Sequence, residues 1–393
     1  MTVPRSDLYD VAIVGAGPAG SSLAIRLASA GLKVLLVEQK QFPRAKLCGE
    51  FISPECLSHF AELNVLDQMT TTGSAVARTV FYAQNGRSVT VPNEWFQPGS
   101  YALGLSRAKM DNILLEKART VCSDVLENTC AGGLLFDDDK VTGLKLRDED
   151  RRTFQIKSRL TIDATGRTRA LVRHVTASGG NAKPGRADFV AFKTHLQGAL
   201  VNDGDCEIYA YRGGYGGCVQ VEGGIHNLCF IVPSQTAKRH GSDVAEIMQN
   251  VILKNKRAAG SLSHAKVIGE WLAVPVESYG RKSLAPAEGL LTVGDAGAFI
   301  DPFTGSGILL ALESSQIAGS VIVDHLATRD SNFADIRQDY RSRYDAAFTS
   351  RHKVSSMIRR AAFVPLLAEA VIRCLAASDR LTRTIALATR PKT

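Results

Sequence analysis

Residues 10–20 read DVAIVGAGPAG, and the fold of the chain follows from this stretch. An apolar run of strand length leads directly into the pattern Gly15-x-Gly17-x-x-Gly20, and an apolar-periodic stretch from Ser21 to Ala30 follows it. This order predicts a strand, a tight turn and a helix. The first glycine permits the turn, the second lets the backbone approach a pyrophosphate, and the third lets the helix pack closely on the strand.

The next segment completes a strand–helix–strand unit. Lys33–Val37 (KVLLV) is a second apolar run of strand length, and it ends at Glu38. A carboxylate at this position would accept hydrogen bonds from the ribose of a bound adenosine, while the helix N-terminus at Pro18 and Ala19 favours an anion. The unit therefore predicts a dinucleotide site, but it does not distinguish FAD from NAD.

The composition is that of a folded enzyme. The chain has 393 residues, 45% of them hydrophobic and 22% charged, which is enough to bury a large core and excludes wholesale disorder. The formal net charge is +8, and residues 337–393 carry twelve Lys/Arg against four Asp/Glu, a difference of +8. The rest of the chain is therefore neutral overall, which argues against nucleic-acid binding.

The sequence lacks the patterns of a membrane-spanning helix, a leader peptide and a metal site. No apolar run reaches the roughly 18 to 20 uncharged residues of a membrane-spanning helix, since residues 361–377 are interrupted by Glu369 and Arg373. The N-terminus shows no leader pattern, so we expect a cytoplasmic protein. The eight cysteines and the scattered histidines lack metal-site spacing, so no metal is predicted.

A second glycine-rich turn lies near residue 300. An apolar strand pattern at 290–293 leads into GDAGAFIDPFTGSG at 294–307, and a helical pattern follows to about His325. This segment resembles the flavoprotein hydroxylase, geranylgeranyl reductase and flavin halogenase group of the para-hydroxybenzoate hydroxylase-like superfamily. The resemblance covers most of residues 8–325 and implies FAD. It assigns these residues to the cofactor: Gly294, Asp295, Pro302, Gly305, Ser306 and Gly307.

The resemblance also implies how the second turn would hold the flavin. Asp295 would bind the ribityl chain, and Pro302 would lie beside the flavin ring. A helix that begins near Ser306 would direct its positive end at the pyrimidine end of the flavin and stabilise negative charge on the reduced ring.

Two shorter matches support the same resemblance. Arg107, ahead of a predicted helix, occupies the family's position for a pyrophosphate or ring-side contact, although a solvated arginine at a helix start fits the pattern equally. Asp163 and Gly166, in DATGR, end a strand beside the expected dinucleotide. A plain strand-end turn would show the same residues.

The segment FPRAKLCGE at 42–50 is similar to the cysteine-glycine-glutamate segment of geranylgeranyl reductases. The resemblance implies that it lines the substrate side of the flavin, with Cys48 as a proton donor or polarisable wall and Glu50 orienting a substrate or a neighbouring backbone. A simply buried cysteine is the alternative. Arg44 and Lys46 would attract cofactor phosphates or be solvated loop charges.

The predicted architecture is α/β, with a three-layer Rossmann-like FAD-binding domain of the glutathione-reductase type, an inserted β-sheet substrate domain and C-terminal helices. The FAD-binding domain takes residues 1–73, 101–185 and 281–330, and the β-rich substrate domain takes 74–100 and 186–280. Residues 331–393 form a basic helical C-terminal region. This region would pack on the flavin domain, cover an apolar substrate entrance or make peripheral membrane contact.

The leading function prediction is an NAD(P)H-dependent monooxygenase acting on an apolar or aromatic small molecule. No second GxGxxG unit serves a nicotinamide, so NAD(P)H would bind transiently or a separate reductase would supply electrons. The alternative is reduction of carbon–carbon double bonds in an isoprenoid-like substrate, as in geranylgeranyl reductases. It is weakened because Gly214–Gln220 replaces a Trp-x-Phe-Pro-like tunnel segment of that group.

Two further activities are less favoured. Halogenation is disfavoured because residues 74–84 contain Arg78 and no lysine. A non-catalytic flavin electron relay is the third hypothesis. The sequence indicates neither the substrate's identity nor the oligomeric state.

Overall fold

The computed structural model of the protein describes residues 8–176, 187–276, 280–299, 303, 305–326 and 332–390. Its strands are β1 (Leu8–Val14), β2 (Val34–Val37), β3 (Phe51–Ile52), β4 (Ser74–Val76), β5 (Arg78–Tyr82), β6 (Ser88–Pro92), β7 (Ala102–Gly104), β8 (Asp124–Leu126), β9 (Cys130–Asp137), β10 (Lys140–Arg147), β11 (Thr153–Asp163), β12 (Phe189–Gln197), β13 (Asp205–Tyr211), β14 (Gly214–Gln220), β15 (His226–Pro233), β16 (Lys266–Val267), β17 (Leu272–Val276), β18 (Gly280–Arg281), β19 (Leu290–Thr292) and β20 (Ala298–Phe299). Its helices are α1 (Pro18–Ser29), α2 (Cys56–Glu62), α3 (Leu66–Thr72), α4 (Arg107–Val121), α5 (Ala170–Thr176), α6 (Ser234–Arg239), α7 (Val244–Asn250), α8 (Lys256–Ser261), α9 (Gly307–Leu326), α10 (Phe333–Ala362), α11 (Pro365–Ala376) and α12 (Asp379–Ala388).

The first glycine motif lies at the centre of a seven-stranded sheet. Strands β8, β2, β1 and β11 run parallel in that order, and β19 continues the parallel set beside the second half of β11. The antiparallel strands β10 and β9 occupy the space beside the first half of β11. This is the strand order of a dinucleotide-binding sheet, with the motif at the carboxyl end of the central strand.

The seven-stranded sheet is the middle of three layers, and alternate side chains of β1 pack into the layers on either side of it. Val11 and Ile13 belong to the core formed with helices α1, α4 and α9, whereas Ala12 and Val14 belong to the core formed with the β9–β10 hairpin. Successive side chains of a strand point to opposite faces, so both faces of this sheet are covered. The α/β fold class predicted from the sequence is confirmed.

A second sheet of eight strands holds β5, β6 and β12–β17, in the order β16-β12-β15-β14-β13-β5-β6 with β17 also pairing β12. Helices α6–α8 contribute to the core on one face, where Phe192, Tyr209 and Phe230 lie. The opposite face carries Ala191, Tyr215 and other side chains that meet the loops of the seven-stranded sheet.

The strands of the two sheets come from separate parts of the chain. Those of the seven-stranded sheet lie at 8–163 and 290–292, and those of the eight-stranded sheet at 78–92 and 189–276. The short strands β3, β7 and β4 form a further sheet, in that order, from residues 51–104. The domain limits drawn from the sequence stay a prediction.

The C-terminal helices extend from the α-helical layer to the second sheet. Helix α10 packs on α9, while α11 and α12 pack against β6. Pro365 is the first residue of α11, where a missing N–H costs nothing. Within the described ranges, α9 is the helix long and apolar enough to cross a membrane, but 61% of its most apolar window is buried inside the protein. That burial is typical of a core helix.

Candidate active site

The first glycine turn has room for no side chain at two of its positions. A Cβ atom at Gly20 would lie 1.8 Å from the carbonyl oxygen of Gly15, and one at Gly15 would lie 2.5 Å from that of Ala164. Gly15 also has a φ of +104°, which favours glycine. Helix α1 therefore packs directly on the turn, as the motif predicts.

Above Gly17 the turn is open. Gly17 is the N-cap of α1 and makes no side-chain cap, and Pro18 follows as the first helical residue. The heavy atom closest to a Cβ placed at Gly17 would be Nη2 of Arg107, at 3.9 Å. Helix N-terminal N–H groups and a guanidinium thus face the same space, which fits an anion such as a pyrophosphate.

Glu38 lies buried at the end of β2, beside this turn. One carboxylate oxygen accepts the backbone N–H of Ala16 at 2.9 Å, and the other accepts that of Lys40 at 3.0 Å. Arg44 lies 3.9 Å from Glu38 through Nη2 and 3.3 Å from Asp111 through Nη1. Each Glu38 oxygen keeps acceptor capacity for a ribose hydroxyl.

Arg107 is buried at the start of α4 and held by a bidentate pair with Asp111, at 2.7 and 2.8 Å. Burial alone would lower the pKa of Arg107, but the Asp111 carboxylate and the Cys48 sulfur outweigh it, so this pKa lies above its ordinary value. The solvated-arginine alternative is wrong, since the guanidinium is fixed between the first glycine turn and Cys48.

The second glycine turn meets the first. Gly294, with a φ of +59°, lies so close to α1 that a Cβ there would be 2.8 Å from the Cβ of Ala19. Asp295 follows it, and burial raises the pKa of its carboxyl, opposed by the charges of Arg167, Arg107 and Lys46. The two motifs therefore enclose one continuous space.

The rest of the second turn supports the start of α9. Gly305 has a φ of +64°, and a Cβ there would be 3.0 Å from the Phe51 ring. Gly307 begins α9 with no heavy atom within 4 Å of its Cβ position, and Ser306 accepts a hydrogen bond from Arg390 at 3.1 Å. Pro302 lies outside the described residues.

Asp163 plays a different part from the one predicted. Its two carboxylate oxygens accept hydrogen bonds from the backbone and hydroxyl of Thr165 and from the backbone N–H groups of Leu171 and Val172. These four bonds fill the acceptor capacity of a carboxylate. The side chain therefore caps α5, and the plain strand-end turn is the better reading. Gly166, with a φ of +70°, completes that turn.

Cys48 lies where the two sheets meet. Its sulfur accepts the backbone N–H of Glu50 at 3.4 Å and lies beside Arg107, and its carbonyl oxygen accepts the Asn227 side-chain amide at 3.2 Å. The neighbouring Cys229 is half-buried, and its removal from solvent raises the pKa of its thiol to about 12. Cys48 is thus half-buried on the Arg107 side of the cofactor space.

Glu50 is fully buried and joins three parts of the molecule. It accepts hydrogen bonds from Lys193 Nζ at 2.8 Å, His195 Nε2 at 2.7 Å and the Arg107 backbone at 2.9 Å. Burial alone would raise the pKa of Glu50, but its bonds with His195 and Lys193 outweigh it and lower the pKa. Glu50 therefore orients the backbone of α4, one of the two roles expected for it.

Sequence reasoning missed Lys193 and His195, because His195 was one of the scattered histidines without metal-site spacing. Both lie on β12 at alternate positions, so they share the face that carries Ala191. A lysine inside an apolar strand was the available signal, since a buried lysine needs a partner. Arg167 was missed as well, and its guanidinium carbon lies 5.2 Å from the centre of the Phe299 ring.

The charges around the two turns fit FAD. Arg44, Lys46, Arg107 and Arg167 gather there, and the pKa of Lys46 is lowered by the surrounding protein and by Arg107 and Arg44. A bound pyrophosphate would relieve this repulsion between cations. Among the described residues no three His, Cys, Asp or Glu side chains are grouped to hold a metal ion. The fold and the site define a flavin-dependent oxidoreductase.

The comparison with family models identifies the chain. Residues 8–349 match the FAD binding domain family, so the chain belongs to that family and binds FAD. A relative named digeranylgeranylglycerophospholipid reductase, from Methanosarcina acetivorans, is 28% identical over 368 residues, covering 92% of this chain and 86% of the relative.

Solved structures share the fold over nearly the whole chain. The flavin-dependent brominase Bmp2 has a TM-score of 0.81 at 19% identity, covering 97% of this chain and 93% of the brominase. A geranylgeranyl bacteriochlorophyll reductase-like protein from Thermoplasma acidophilum has a TM-score of 0.79 at 20% identity, covering 98% of this chain and 96% of that protein. The resemblance to the para-hydroxybenzoate hydroxylase-like superfamily is confirmed.

Proposed function

We propose that this FAD-dependent oxidoreductase reduces carbon–carbon double bonds in an isoprenoid-like chain, with electrons from NAD(P)H or a separate reductase. The proposal reverses the order of the two sequence-based hypotheses. It is supported by the relative from Methanosarcina acetivorans, whose name states the reduction of a digeranylgeranyl lipid and which matches 92% of this chain. It is supported further by the shape of the space beside the second glycine turn.

The observation that carries the proposal is an apolar cleft between the eight-stranded sheet and the C-terminal helices. It encloses about 660 Å³ of space, a volume that includes open solvent at its mouth. Its walls are almost entirely apolar. They are formed by Phe81, Val89, Val91, Phe96, Phe303, Ile372, Leu375, Thr382, Ile385, Ala386, Thr389 and Arg390.

The cleft adjoins the cofactor space. Phe303, one of its walls, lies in the second glycine turn and packs in one cluster with Leu47, the residue before Cys48. Arg390, at another wall, donates a hydrogen bond to Ser306 at the start of α9. An extended isoprenoid chain in the cleft would therefore have its inner end beside the turn expected to hold the flavin.

The expected chemistry adds a hydride and a proton across one double bond. When bound and reduced, FAD supplies the hydride. The Cys48 thiol would give its proton to the other carbon, and the thiolate left behind would lie beside the Arg107 guanidinium and the Glu50 N–H. Apolar walls would keep water from competing for the reacting carbon.

Oxygenation of an aromatic substrate is the second candidate. The same face of the eight-stranded sheet carries a group of rings, with Tyr215 edge-on to Phe303 at 4.9 Å and Phe303 at 5.6 Å from Phe81. Rings arranged in this way suit an aromatic molecule as well as a prenyl chain.

Anaerobic turnover separates the two candidates. FAD-loaded protein reduced with dithionite and mixed with geranylgeraniol under strict exclusion of O2 should yield a product heavier by two hydrogens per reduced bond. Dithionite makes the result independent of the natural electron donor. No reduced product without O2, together with an oxygenated product in air, would reject the reductase.

The part of Cys48 is tested with matched cysteine variants. Cys48→Ala should slow double-bond reduction by about 10²- to 10⁴-fold, the usual contribution of a positioned acid, while the protein keeps its FAD. Cys130→Ala, on strand β9, removes another half-buried cysteine and should leave the rate unchanged. An undiminished rate in the Cys48 variant would remove the thiol from the mechanism.

A further inference from the structure

The C-terminal helices expose several large apolar side chains. Leu366 is 81% exposed and Leu367 46% on α11, and Leu381 and Leu387 are 43% and 39% exposed on α12. Isolated exposed leucines are normal, but α11 and α12 contact each other and expose four of them, and such a concentration of apolar surface marks interaction sites. We call these four residues the leucine patch.

The inner surface of the same helices already has its partners. Ala368 and Ile372 of α11 are buried, α11 packs on β6, and Leu375 and Ile385 line the apolar cleft. The leucine patch is therefore additional apolar surface, exposed where the inner residues of the same helices are covered.

The charges around the leucine patch are mainly positive. Arg373, Arg380 and Arg383 are exposed, whereas residues 363–390 contain two acidic residues, Glu369 and Asp379. Exposed arginines beside apolar side chains suit the boundary between anionic headgroups and acyl chains. They suit a purely apolar protein partner less well.

We infer that α11 and α12 lie on the surface of an anionic lipid bilayer, with the leucine patch inserted among the acyl chains. Helix α11 has 12 residues and would be about 18 Å long, too short to span a bilayer of about 30 Å. It would therefore lie in the plane of the interface. The apolar cleft, which lies between the same two helices and the sheet, would then lie close to the membrane surface.

Vesicle sedimentation tests this inference without any turnover, so its outcome is independent of the proposed reaction. Full-length FAD-loaded protein is mixed with vesicles of phosphatidylglycerol and phosphatidylcholine, or of phosphatidylcholine alone. We expect binding to the mixed vesicles that weakens as salt is raised and is lower on phosphatidylcholine alone. Wild-type protein that stays in the supernatant with both kinds of vesicle would overturn the inference.

Matched leucine variants locate the contact. The double variant Leu366→Gln/Leu367→Gln should bind mixed vesicles about 100-fold more weakly, since each buried leucine contributes roughly a factor of ten. Leu200→Gln changes a leucine that is 53% exposed in the loop between β12 and β13, outside the C-terminal helices, and this variant should bind like the wild type. Retained FAD and an unchanged unfolding midpoint show that both variants are folded.

Two further results would count against the membrane. Undiminished vesicle binding by the leucine double variant would reject the leucine patch as the contact. A concentration-dependent dimer that the same variant abolishes, together with no vesicle binding, would assign the patch to a second copy of the chain instead.

Discussion

The two halves of the candidate site are built in different ways. The half around the first glycine turn is made by backbone, with Gly15, Gly17 and Gly20 bringing helix α1 against strand β1 over a few residues of sequence. The half around Cys48 is made by side chains from distant segments, since Glu50 is held by Lys193 and His195 of the other sheet. One half is a local motif, and the other is an interface.

The two halves are also stabilised differently, one by close backbone packing and the other by buried charges. The glycine turn depends on the absence of atoms, because a methyl group would collide with a carbonyl oxygen. The Glu50 group depends on charges that compensate one another away from water. The two halves should therefore be sensitive to opposite kinds of substitution. An added methyl group should damage the glycine turn, whereas the loss of a charged partner should damage the Glu50 group.

The largest expected effect is in the Glu50 group. Glu50→Leu leaves Lys193 buried without its carboxylate and should lower the free energy of unfolding by about 3–5 kcal/mol in urea titrations. Lys193→Met should cost less, because Glu50 keeps His195 and the Arg107 backbone. The double variant Glu50→Leu/Lys193→Met should lose less than the sum of the two. Additive losses would mean that the pair is not coupled.

The glycine turn gives a smaller loss of stability and a sharper loss of cofactor. In Gly20→Ala the new methyl group would meet the Gly15 carbonyl, and the resulting shift should cost about 1–3 kcal/mol, or about 10- to 100-fold in FAD affinity. Gly260→Ala, at an open position of α8, is the matched control and should bind FAD normally. If fluorescence titration gave Gly20→Ala and Gly260→Ala the same FAD affinity, the first glycine turn would not depend on close backbone packing.

Acid should act on the two halves with opposite sign. Glu50 has a lowered pKa, so the stability it contributes is present at neutral pH and is lost as the pH falls through its folded-state pKa, below the ordinary range of a glutamate. Asp295 has a raised pKa, so its protonation favours the folded FAD-free protein as the pH falls. Urea midpoints at falling pH should therefore decline less in Glu50→Gln than in wild type, and more in Asp295→Asn.

The sequence predicted the elements that follow from local rules. The strand–turn–helix–strand unit, the second glycine turn and the helix after it are readable because their glycine spacing and apolar period act within a short segment. The structure extends the predicted helix at Ser21–Ala30 to begin at Pro18, as a proline at the first helical position favours.

What the sequence could not show is pairing between segments. Lys193 and His195 become partners of Glu50 only because β12 presents its odd-numbered residues to the loop at 47–50. Asp163 was assigned to the cofactor because a strand-end carboxylate resembles a ligand contact, yet its oxygens are filled by the turn that follows. Neither outcome is encoded in spacing alone.

The contact between Gly294 and Ala19 has a consequence for how the protein acquires its flavin. The two turns expected to hold the cofactor are separated in the chain by most of both sheets. Bringing them together therefore closes a loop of most of the polypeptide, and contacts of such long range form slowly. Cofactor capture is therefore expected late in folding, after the intervening sheet has assembled. Substitutions far from either turn that disturb assembly of this sheet would then yield protein without FAD, which is colourless.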